Sequence, residues 1–60
     1  MTAKERYEIA RVNHLAWFRR LQIAQRNGTS EGLKALIRFE LEQAQTERAR
    51  AFEAFMDSEE

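Results

Sequence analysis

The sequence predicts an all-α fold, an antiparallel two-helix hairpin that dimerises into a four-helix bundle. Three observations predict it. The chain of 60 residues has no proline and carries both its glycines, Gly28 and Gly32, in one short segment, so it is punctuated once. The segments on either side are rich in Ala, Leu, Glu, Gln and Arg, which are strong helix formers. On each side apolar residues recur at alternating steps of three and four, the spacing of a seam between helices.

Residues 1 to 60 are read as one helical-hairpin domain, with a helix over about 3–27, a turn over about 28–31, a helix over about 32–56 and a frayed acidic tail at 57–60. The wider apolar stripe of the first helix holds Ala3, Tyr7, Ala10, His14, Trp17, Leu21 and Ala24. A narrower second stripe holds Ile9, Val12, Ala16 and Ile23. One neighbouring helix does not easily cover both, so the second stripe is the candidate dimer interface. Between the stripes runs a basic strip of Lys4, Arg11, Arg19, Gln22 and Arg26, bordered by Leu15 and Phe18.

In the connecting segment, Gly28 suits the left-handed position that ends a helix, and Thr29 or Ser30 suits the cap of the next. Asn27-Gly28-Thr29 matches a glycosylation acceptor pattern and is read here as a turn. In the second helix Ile37, Leu41, Ala44, Arg48, Ala51 and Phe55 form the seam, with Leu33 preceding them in phase. Arg48 is a lone charge at a seam position, where a polar residue sets register or oligomeric state; it joins the dimer-interface candidates. Phe39 lies well away from the seam and is a candidate for exposure. The acidic tail opposes the helix dipole and is not expected to prolong the helix.

Composition narrows the function. A chain this short buries only about 60% of its unfolded surface, so a second copy or another protein is expected to supplement the core. With no Cys and a single His, disulfides and clustered metal sites are excluded, and no cofactor is expected. Triads, phosphate-cradling glycine loops and paired carboxylates in apolar settings are missing, so no enzymatic activity is expected. No run approaches the ~18 apolar residues of a membrane span, and the start Met1-Thr2-Ala3-Lys4-Glu5-Arg6 lacks the apolar core of a signal peptide; a cytoplasmic protein is expected. Net charge is zero, but unevenly spread. Residues 1–27 carry six basic side chains against two acidic ones, a balance of +4, and residues 28–60 carry four against eight, a balance of −4.

The functional reading is therefore a small protein-binding module, a regulator, inhibitor or adaptor, that works by helix-face docking and self-association. Trp17, Phe18 and Phe39 are the candidate anchors. The alternative is nucleic-acid binding through Lys4, Arg11, Phe18, Arg19, Gln22 and Arg26, with arginines on phosphates and a base stacked on Phe18. Two helices of this length joined by one short turn resemble the Rop family of plasmid copy-number regulators, whose hairpins dimerise into a four-helix bundle and grip paired RNA loops. The resemblance is architectural and covers the whole chain without a specific motif. It implies that one face of the first helix, with basic and amide groups around a phenylalanine, holds RNA, and Lys4, Phe18 and Gln22 are the residues of that kind here.

Overall fold

The computed structural model describes residues 1–58, which form two helices, α1 (Ala3–Arg26) and α2 (Glu31–Asp57), packed against each other. Thr2 starts α1 with a capping box. Its hydroxyl oxygen accepts from the Glu5 amide at 3.1 Å while the Glu5 carboxylate accepts from the Thr2 amide at 3.2 Å, so two amides left over at the helix start are satisfied together. α1 ends at Asn27, and Gly28 follows with φ of +66°. In that left-handed conformation the chain reverses, and the Thr29 amide donates back to the Ala24 carbonyl at 3.0 Å, the long bond of a Schellman closure. Ser30 then caps α2, its hydroxyl accepting from the Leu33 amide at 3.4 Å.

The chain reversal lays α2 along α1 in a rod of 45 × 14 × 14 Å. Along α1 the more protected residues are Ala3, Tyr7, Ala10, His14, Trp17, Leu21 and Ala24, which is the wide stripe read from the sequence. Along α2 they are Lys34, Ile37, Leu41, Ala44, Arg48, Ala51, Phe55 and Ser58. The alternation of three and four therefore runs through Lys34, not Leu33, which is 50% exposed. A step of three and a step of four back from Ile37 both lie near the seam, and the step of three continues the heptad. Lys34 takes the position by lying over the seam with its stem and carrying its ammonium to Glu31 at 2.7 Å.

α2 also runs one residue further than the sequence implies, through Asp57. The Ser58 hydroxyl and amide both donate to the Phe55 carbonyl, at 2.8 and 3.3 Å, and this closes the last turn despite the unfavourable carboxylate. The rest of the acidic tail, Glu59 and Glu60, lies outside the described residues.

The seam has no large fully buried side chain. Its buried members are Ala24, Ala44 and Ala51, small residues that let the backbones approach while bulkier neighbours splay to the flanks. At the open end of the hairpin Tyr7 packs on two rings of α2, with centroids 5.4 Å from Phe52 and 5.8 Å from Phe55. Those spacings suit aromatic pairs. Two helices enclose one line of contact and no more, so the seam is half a core.

Candidate interaction surfaces

Three surfaces follow from this geometry. The first is a polar node in the middle of the seam. His14 and Arg48, the two polar residues of the predicted seams, meet there, with Arg48 Nη1 3.0 Å from His14 Nδ1. A guanidinium only donates, so in this bond Nδ1 is the acceptor. The node lies in a shallow groove with Tyr7, Gln45, Ala49 and Phe52. Arg48, the seam position of α2 expected to set register or oligomeric state, faces α1 within the hairpin, because its heptad position points there.

The second surface is that stripe. Ile9, Val12 and Ile23 are 57%, 60% and 56% exposed, and Ala16 is exposed with them. At 100° per residue their centre lies about 140° around α1 from the seam, so α2 does not reach them. Two adjoining hollows run along the stripe, one lined by Glu5, Glu8, Ile9, Val12, Asn13 and Ala16, the other by Val12, Leu15, Ala16 and Arg19. They share Val12 and Ala16, and the small Ala16 side chain makes the dip between larger neighbours.

The third is the basic strip. Lys4, Arg11, Arg19, Gln22 and Arg26 are all exposed, with Phe18 beside them. Ion pairs among the described residues use other groups: Arg6 with Glu47 at 4.0 Å, Arg50 with Glu47 at 3.8 Å, and Lys34 with Glu31. The Glu42–Thr46 neighbours on α2 join through the backbone, the Thr46 hydroxyl donating to the Glu42 carbonyl at 3.1 Å.

The three aromatic anchor candidates do not converge. Trp17 sits half-covered in the seam, with the Arg20 guanidinium 4.4 Å from its ring centre, a cation–π contact. Phe18 is exposed on α1. Phe39 is also exposed, two residues from seam residue Leu41 and so about 200° around α2 from it, on the side away from α1. The polar node is the feature that sequence reading missed. Its signal was present as one polar residue in each otherwise apolar seam, each near the middle of its helix.

Among the described residues no three His, Cys, Asp or Glu side chains cluster to hold a metal ion, and neither helix is long and apolar enough to cross a membrane. No protein-family model matches the chain, and no curated protein or solved structure is significantly similar to it.

Proposed function

We propose that this chain is a small non-enzymatic binding module, a regulator, inhibitor or adaptor that docks helix faces on another protein and does so as a self-associated four-helix assembly. The observation that carries the reading is the mismatch between what is apolar and what is covered. Among the described residues the hairpin buries three alanines, while Ile9, Val12, Phe18, Ile23, Leu36, Phe39 and Met56 stay exposed. Apolar surface on several sides of a thin rod marks contacts yet to be made, and a hairpin with half a core gains most from making them. The shallow, open hollows of the surface favour contact over catalysis, since catalytic sites enclose their ligands.

Light scattering joined to thermal unfolding at several protein concentrations tests it. The expected result is a mass above one chain and a midpoint that rises with concentration; a folded monomer with a fixed midpoint removes the reading. Ile9→Lys and Ile23→Lys together are expected to leave far-UV circular dichroism in place while removing the concentration dependence.

The second reading, RNA or DNA binding, is favoured by the strip itself: Arg11, Arg19 and Arg26 form no ion pair among the described residues. Replacing all three with Gln is expected to abolish any nucleic-acid complex along with its salt dependence, and to leave a protein contact centred on aromatic residues nearly unchanged. Absence of any RNA or DNA shift at low salt ends this second reading.

A further inference from the structure

The outer stripe of α1 is not only apolar but patterned. Ile9 and Ile23 each stand seven residues from Ala16, two helical turns to either side. The acidic residues along the stripe, Glu5 and Glu8, lie on the N-terminal side of Ala16, and Arg19 and Arg26 lie on the C-terminal side. At 100° per residue, Glu8, Arg19 and Arg26 also fall on the same flank. A surface whose end residues, Ile9 and Ile23, are symmetric about a point, and whose flanking charges Glu8 and Arg26 are opposite about it, complements itself at those ends under a two-fold axis through that point, while Val12 faces the arginine stems near position 20 of the other copy.

We propose that a second copy of this chain covers the stripe, with the two α1 helices antiparallel and crossing at Ala16. This rests on the self-association proposed above and names its interface. In that arrangement Ile9 packs on Ile23 of the second copy, and the reverse contact repeats it. Arg26 of the second copy falls within a turn of both Glu5 and Glu8, so each end of the contact closes with an opposite charge. The dip at Ala16 lets the backbones come close at the crossing, as small residues do wherever helices pack tightly. A parallel two-fold pairing instead puts Glu8 and Arg26 at opposite ends of the contact and their copies on its opposite flank, so the Glu8–Arg26 pairs form only in the antiparallel one. Because the stripe faces away from α2, the four helices lie in the order α2, α1, α1, α2, and both basic strips border the contact.

Two experiments on the full chain test the placement. Ala16→Cys introduces the sole thiol of a chain that has none, at the residue that meets itself on the axis. Under mild oxidation it is expected to form a disulfide-linked dimer, and Gln43→Cys, on the exposed surface of α2, is not. Glu8→Arg and Arg26→Glu are each expected to weaken self-association on the order of tenfold, since each reversal acts twice in a two-fold contact. An equimolar mixture of the two variants is expected to recover wild-type affinity, because each then supplies the charge the other needs. Glu8, Ala16 and Arg26 are exposed in the hairpin, and circular dichroism checks that the variants keep their helices. A wild-type monomer overturns the interface and the self-association together. A wild-type dimer with no Ala16→Cys cross-link and no recovery in the mixture overturns this interface alone.

Discussion

α1 carries two apolar stripes, and they meet opposite fates. The seam stripe is built from alanines and from large residues with polar ends, Tyr7, His14 and Trp17, and it faces α2. The outer stripe is built from β-branched residues, Ile9, Val12 and Ile23, around one alanine, and it faces solvent. By side-chain chemistry alone the outer stripe is the drier of the two. What decides burial is the reversal at Gly28, which brings α2 to one side of α1 and leaves no other described element to reach the other. The alanine-lined side is the one that allows two backbones to approach along their whole length. Stability of the hairpin is therefore held in the seam, and capacity for contact is held in the stripe.

The largest expected effect separates the two by the same substitution on the same residue type. Ala51→Asp places a carboxylate at a position only 1% exposed, where the seam cations are already engaged, Arg48 with His14 and Lys34 with Glu31. An unpaired buried charge costs about 3 kcal/mol or more, which is comparable to the whole stability of a domain this small. Circular dichroism is expected to show most of the helix lost. Ala16→Asp, on the exposed stripe, is expected to change the stability of dilute protein by less than about 0.5 kcal/mol and to act on self-association instead. Equal effects at both positions would erase the distinction.

A middle-sized effect sharpens the account of the seam. His14→Ala and Arg48→Ala remove the two ends of one hydrogen bond, and a double-mutant cycle is expected to give a coupling of about 1 kcal/mol. Replacing both at once with Leu and Met is expected to leave stability unchanged or raise it, because apolar residues of similar volume pack where a partly buried polar pair stood. The loss then appears in uniqueness: oligomer mass and helix register are expected to become heterogeneous, since a lone polar pair fixes which layers meet. A cycle with no coupling would make the node an incidental contact of two long side chains.

Much of this fold was legible in the residues, because its signals are local. Gly28, at φ of +66°, and the Ser30 cap mark the turn, and the alternation of three and four picked out the seam of α1 in full. The phase of α2 was misread at Leu33 because one heptad admits either step, and only the run of α2 past Ser30 chooses Lys34. The meeting of His14 with Arg48 is a property of inter-helix register, which depends on how the turn is closed and on how far an arginine reaches. Spacing within one helix carries neither.

The smallest effect belongs to a site outside both stripes and sets the baseline for reading the others. Glu31, in the first turn of α2, has its carboxyl held below the usual range, first by the hydrogen bond from Lys34 and then by the charge of that ammonium. A folded pKa below the unfolded one means that folding favours the ionised form. The resulting stability is fully present above the unfolded value of about 4.3 for a glutamate and is lost as pH falls through the lowered folded value. Glu31 is fully exposed, so solvent screens the pair and the effect is small. Glu31→Gln is expected to flatten this part of the acid limb of a stability–pH curve and to leave the neutral region almost unchanged. The slope should also shrink in high salt, as an exposed pair requires. Neither stripe contributes to it, so Glu31→Gln is expected to self-associate like the wild type, which separates this helix-start pair from the contact at the outer face of α1.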